Sequence, residues 1–326
     1  MSVSNGQDCH LLVEERLPQT RRVTGWRSGD RFQKTLGSRP GRVRYLAMVT
    51  QHEEMATYFD KWYSDMAGAS VKDEIQQRHL GLPPELLSTS LVTWQGIGEI
   101  AEALALAPGE RLVDLACGRG GYGLELASRG QTQLVGVDFA PAALEVARAL
   151  ASVRGVEADY RVGDLVATGL ADGSADAVVV IDAIQFPSDP GSAYREIARI
   201  LRPGGRVVLT CWEAIDRNDS VVPERLRRVD LRGGLEAADF VDVEVRERAE
   251  WRHAERAMLT EAAALEPGND VALLSFHDEG VSALRTFNHT RRVMATAARA
   301  GQRATSTIAS VPRCAPPRWG PPTSLR

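Results

Sequence analysis

The chain has 326 residues, 44% hydrophobic and 25% charged, with a formal net charge of −4. That is long for one doubly wound domain and short for two large ones, so one domain with additions is expected. With no run of 18 apolar residues and no charged-then-apolar leader, the expectation is a soluble cytoplasmic protein.

In chain order, residues 1–47 hold nine Lys/Arg against four Asp/Glu and show neither helical nor strand periodicity. They read as a basic, disordered extension, and Met48 reads as the natural start of the folded unit, which should span 48–300. From Thr50 to about Met66, apolar residues at Met55, Tyr58, Phe59, Trp62, Tyr63 and Met66 follow the spacing of one helix face. A second helix is expected over Leu91–Leu106. Then come alternating units: strand 111–116, helix 120–129, strand 132–137, helix 141–151, strands near 158–162 and 176–181, helix 191–201 and strand 205–212. This alternation predicts an α/β fold with a parallel sheet covered on both faces. Beyond Trp212 the expectation is a helix over about 225–238, a strand at Val241–Val245 and a final edge strand near Arg292–Ala297. Between those strands, residues 251–290 form a charged, helix-rich insertion with breaks at Pro267-Gly268 and Gly280. It is too long for a hairpin turn and reads as an ordered cap. Residues 301–326 hold four Arg, no acid and five of the sixteen prolines, and read as a disordered tail. The body between these basic ends carries −13, which argues against a large nucleic-acid footprint. Four cysteines about a hundred residues apart, with no CxxC pair, give neither a metal site nor a disulfide framework.

The chemistry concentrates at Val113-Asp-Leu-Ala-Cys-Gly-Arg-Gly-Gly-Tyr-Gly123, an apolar strand running into a glycine loop that opens a helix. Glycines there let backbone N–H groups approach a ligand at the positive end of a helix. Twenty residues after Gly118, Asp138 ends a second apolar strand, where a carboxylate can accept from both hydroxyls of a ribose. Two ligand classes fit, because Gly118-Arg-Gly-Gly-Tyr-Gly123 also matches the dinucleotide fingerprint of NAD(P)-binding oxidoreductases. Asp114 separates them, since a dinucleotide-binding strand is normally apolar at that place. A non-catalytic nucleoside- or RNA-binding module is a further alternative.

Asp114-Leu-Ala-Cys-Gly-Arg-Gly120 resembles the first motif of the class I S-adenosylmethionine-dependent methyltransferases, and the resemblance continues in order through residues 94–212. Its later landmarks are Asp138, Gly163-Asp164-Leu165, Ser174–Asp182, and a helix ending in Leu-Arg-Pro-Gly-Gly before the strand to Leu209, a feature frequent in the small-molecule branch. The resemblance implies a doubly wound, mostly parallel seven-stranded sheet closing in an antiparallel hairpin of its sixth and seventh strands, with N-terminal helices across the cofactor mouth. It implies S-adenosyl-L-methionine as cofactor and a small-molecule acceptor, a secondary metabolite methylated on O, N or electron-rich C. By the same resemblance Asp138 holds the ribose diol, and Gly118 and Gly120 approach the methionine end. Asp114 orients the loop, Asp164 accepts from the adenine amine, and Leu165 supplies a backbone donor. Asp182 and Gln185 stand where cofactor and acceptor meet, with Ala116, Phe139 and Tyr58 completing the cofactor contacts. Many relatives carry a His pair after the fourth strand. This chain has Ile184-Gln185-Phe186-Pro187, so any proton acceptor must come from the N-terminal helix or the cap. Tyr58, Tyr63, His277, Asp278, Glu279 and His289 are the candidates. His277 and His289 have the best unperturbed pKa for the role, and His277 is the catalytic candidate, but methyl transfer is expected to rely mainly on proximity with at most a modest base contribution.

Overall fold

The structure, a computed structural model, describes residues 55–301 apart from 67, 69 and 88. The expectations for residues 1–54 and for the tail from 302 onward lie outside the described residues.

Seven strands form one sheet: β1 (Arg111–Leu115), β2 (Gln133–Asp138), β3 (Ala158–Val162), β4 (Ala175–Ile181), β5 (Leu201–Ala214), β6 (Phe240–Glu247) and β7 (Thr290–Arg299). Their order is β3-β2-β1-β4-β5-β7-β6, with β7 antiparallel to both neighbours and the other pairs parallel. The mostly parallel, seven-stranded reading therefore holds. One detail differs: β7 is interior and β6 forms the edge, because the last strand inserts between β5 and β6. Side chains alternate across the pleat. Leu112, Leu134, Val179 and Val208 enter one apolar layer, while Val113, Val135, Val178 and Val207 enter the other. That two-sided burial explains the nearly continuous apolar runs of the central strands.

The helices are α1 over 55–65, α2 (Ser70–Leu80), α3 (Trp94–Leu104), α4 (Gly121–Gly130), α5 (Pro141–Arg154), α6 (Pro190–Ile200), α7 (Glu224–Arg227), α8 (Leu231–Ala237), α9 (Ala249–Ala263) and α10 (Val271–Thr286). The single helix expected over 225–238 is two short ones. Asp230 caps α8 by accepting from the Gly233 N–H, which starts a new helix inside the span. No described helix is long and apolar enough to cross a membrane.

The insertion between β6 and β7 folds as a pair of packed helices, α9 and α10. Gly280 does not break α10. A Cβ there would stand 2.8 Å from the Leu259 carbonyl oxygen and the Ala263 nitrogen of α9, so the residue permits close approach of the two helices. Phe59, Trp62 and Met66 pack on Ala140 and Ala143 at the start of α5 and on Ala272 of α10. This seats α1 across the C-terminal ends of the strands.

Candidate functional site

Open α/β sheets bind ligands outside the carboxyl ends of their strands, and a cleft of about 1000 Å³, open mouth included, lies there. Its floor is built from Ala116 after β1, Asp138 at the end of β2 and Phe139 after it, Asp182, Ala183 and Gln185 after β4, and Trp212 of β5. Phe59 and Tyr63 of α1, Arg225 of α7, Glu255 of α9 and Glu279, Ala283 and Thr286 of α10 complete its lining.

The glycine loop is tied to β2 through a carboxylate. The Gly118 N–H donates to Asp138 Oδ2 at 2.8 Å and the Ala140 N–H to Oδ1 at 2.9 Å. Each oxygen retains acceptor capacity, as a ribose diol requires. Burial pushes the Asp138 carboxyl up to about 6, against the pull of these backbone donors. Gly118 has φ +52°, and a Cβ there would lie 2.6 Å from Tyr63 Oη, so only glycine leaves the loop its conformation beneath α1. Gly120, also left-handed at φ 80°, leads into α4, whose N-terminus has no side-chain cap. Asp114 is buried behind the loop beside Gly123, whose N–H it accepts from. Burial first, then Asp138, pushes it up to about 8. It braces the loop and does not form part of the cavity wall. Asp164 stands on the turn after β3, close enough to raise Asp138, while Leu165 is buried in the core.

Several expected site residues do other work. Asp182 and Gln185 lie in the wall, but their polar atoms are engaged by the protein. The Asp182 carboxylate accepts from Leu91 N at 2.9 Å, Thr210 Oγ1 at 2.7 Å and the Arg292 guanidinium at 2.5 and 2.9 Å. Gln185 Nε2 donates to the Asp182 carbonyl at 2.7 Å, and its Oε1 accepts from Cys211 Sγ. Tyr58 is not part of the wall; Phe59 and Tyr63, one and five residues on, are. His277 is absent from it too, with Nδ1 at 3.0 Å from Asp278 Oδ1. Glu279, Ala283 and Thr286 share the face of α10 that meets the cleft, and His277, two residues before Glu279, lies some 200° around the helix. His289 pairs with Asp219 at 2.6 Å. Of the six candidate proton acceptors, Tyr63 and Glu279 line the cleft. Burial raises the Tyr63 phenol, which removes it as a base near neutrality.

Sequence reasoning missed Glu255, which is 3% exposed. Its Oε1 accepts from Trp212 Nε1 at 2.5 Å, and its Oε2 has no hydrogen-bond partner among the described residues. Burial pushes it up to about 7, against the pull of Arg292 and Trp212. Glu279 is also raised to about 7 by burial, opposed by Lys72 and Arg225. A signal for Glu255 existed: it stands with Trp251, Met258, Leu259 and Ala262 on the buried face of α9, a carboxylate at apolar-stripe spacing.

A family profile described as a methyltransferase domain matches residues 113–209. Among curated proteins, the chain is 40% identical over 108 residues to a demethylmenaquinone methyltransferase of Thermus thermophilus, covering 33% of this chain and 49% of that one. It is 31% identical over 182 residues to a ubiquinone biosynthesis O-methyltransferase of Xanthomonas oryzae pv. oryzae, covering 52% and 73%. It spans about half the length of the first curated relatives it matches. Among solved structures, the (4+2)-cyclase SpnF superposes with a TM-score of 0.60 at 20% identity, over 76% of this chain and 96% of that one, which shows the shared fold. The chain belongs to the class I S-adenosylmethionine-dependent methyltransferases.

Proposed function

We propose that this protein transfers a methyl group from S-adenosyl-L-methionine to an O, N or electron-rich C of a small molecule, a secondary metabolite, in the cytoplasm. The observation that carries the reading is Asp138 at the end of β2, bonded to the glycine-loop N–H of Gly118 and facing a cleft walled by aromatic side chains. Asp138 would hold the ribose diol, the backbone at Ala116, Gly118 and Gly120 the methionine end, and Asp164 with the Leu165 N–H the adenine beside Phe139. When bound, the cofactor supplies a methyl group already activated on a sulfonium. The chain's own contributions are alignment and exclusion of water. Asp182, locked by Arg292, fixes the backbone at Leu91, which also lines the cleft. The functional unit in this reading is residues 48–300, and its acidic body gives no footing for nucleic acid.

The test is incubation with methyl-labelled S-adenosylmethionine and a panel of small phenols, enols and amines. Label in a low-molecular-weight product is expected. No transfer together with no affinity for S-adenosylhomocysteine would overturn the reading.

A further inference from the structure

Two carboxylates share the acceptor side of the cleft, and their surroundings differ. Glu279 of α10 faces two cations, Lys72 of α2 and Arg225 of α7. Glu255 of α9 has one oxygen fixed by the indole N–H of Trp212 and the other without a partner, in a wall that includes Phe186, Trp212 and Phe287. A buried carboxylate oxygen left without a donor is costly unless a ligand or a proton completes it. The charged groups facing Glu255 are Arg292 of β7, Asp182 after β4, Arg252 on its own helix, and Glu279 across the same cleft. Arg292 is itself committed to Asp182 and sandwiched by Trp212 and Trp251, with ring centroids at 4.1 and 5.6 Å.

We propose that Glu255 is the catalytic base of this protein and that its acceptor is a neutral aromatic hydroxyl, so that the reaction is O-methylation. This rests on the methyl-transfer reading above. In the step, the acceptor O–H bond breaks and the proton passes to the Glu255 carboxylate. The oxygen's electron pair forms the bond to the methyl carbon, and the pair of the broken carbon–sulfur bond stays on sulfur. One negative and one positive charge are discharged together, and the residue left behind is a neutral carboxylic acid, the form its burial favours. A protonated amine in the same place would set a third cation beside the sulfonium and the Arg292 guanidinium, which the water-poor site disfavours. Glu255, raised to about 7, is poised to accept a proton near neutrality.

The experiment uses the full chain with catechol, whose hydroxyls stay neutral through the pH range of the test, as probe, and phenylethylamine as the amine control. We expect the wild type to bind S-adenosylhomocysteine and to methylate catechol, with kcat falling on the acid side of about pH 7. Glu255→Gln should keep S-adenosylhomocysteine affinity within about threefold, lose about 100-fold or more in kcat and lose the acid limb, in line with general-base effects. Glu279→Gln should keep the limb. Trp212→Phe removes a hydrogen bond that stabilises the anion and should move the limb to higher pH, a readout that remains if Glu255→Gln fails to fold. An unmoved limb in Trp212→Phe, or turnover within about threefold in Glu255→Gln, overturns the assignment of Glu255 while leaving methyl transfer in place. Methylation of the amine without any phenol turnover overturns the acceptor class. Wild type that binds no S-adenosylhomocysteine overturns the function on which the proposal rests.

Discussion

The two walls of the cleft are built on different principles. On the cofactor wall, β1, β2 and the start of α4 present backbone N–H groups and one carboxylate in a geometry that glycines and strand ends enforce, and the family match covers this part of the chain. On the acceptor wall, α9 and α10 lie beyond that match and present buried side chains, Glu255 and Glu279, in a setting of aromatic rings and committed arginines. In the proposed reading, a ligand shared by many enzymes would be held by the main chain, whereas one particular to this enzyme would be met by side chains on an insertion. Perturbed carboxylates mark both walls, but for different reasons. Asp138 and Asp114 are raised although backbone donors hold them, and Glu255 is raised while one oxygen goes without a partner.

The largest expected effect tests the cofactor wall. Gly118→Val places side-chain atoms against Tyr63 in a left-handed backbone position. It should weaken S-adenosylhomocysteine binding by about 100-fold or more, roughly 3 kcal/mol, as read by calorimetry on protein that remains folded by circular dichroism. Retained affinity would show that the loop does not need its observed conformation.

A moderate effect should appear in stability against pH and separates the walls by mutation. Carboxyls raised above their unfolded values bind protons more readily when folded, so stability falls as pH rises through the interval between the two values and is flat above it. With Asp138 near 6, Glu255 and Glu279 near 7 and Asp114 near 8, that window runs from about 4 to about 8. Lys72, lowered to about 8 by burial, contributes the opposite slope only above that pH. The melting temperature should therefore be higher at pH 5.5 than at pH 8, by a few degrees. Glu255→Gln and Glu279→Gln should flatten the slope from the acceptor side, and Asp114→Asn from the cofactor side. A rise in melting temperature between those pH values would contradict the burial account of these groups.

The smallest expected effect concerns His277, which pairs with Asp278 outside the cavity wall. His277→Ala should change catechol turnover and cofactor affinity by less than about threefold, as ordinary surface substitutions do. A hundredfold loss of turnover would bring the histidine back as the base.

What the sequence makes legible follows the same division. The strands, the glycine loop and Asp138 are readable because alternation and glycine spacing encode local geometry directly. Helix α2 is not, since its buried face uses polar residues: Gln76 donates to the Ser90 carbonyl at 2.7 Å, and Lys72 lies 5.4 Å from the Phe276 ring centroid and 5.8 Å from that of Trp62. No apolar period announces such a helix. The cap is readable as helical, but which face of α10 meets the cleft depends on its packing against α9 at Gly280, a contact between residues far apart along the pair. Local pattern therefore offers Glu279 and His277 alike as candidates, with chemistry alone favouring the histidine, and hides Glu255 within a charged helix. The interior place of β7 is a matter of strand order, to which local pattern is blind.

The central claim is that a nucleoside-bearing sulfonium cofactor is held by the Asp138 wall independently of the Glu255 wall. The most direct measurement is calorimetric titration of S-adenosylhomocysteine and of NAD into wild type, Asp138→Ala and Glu255→Gln. The account predicts S-adenosylhomocysteine binding without NAD binding in wild type, and a loss of about 2 to 4 kcal/mol in Asp138→Ala, the size of two charge-assisted hydrogen bonds. It predicts wild-type affinity in Glu255→Gln. Binding of NAD with no affinity for S-adenosylhomocysteine, or equal weakening by both substitutions, would contradict it.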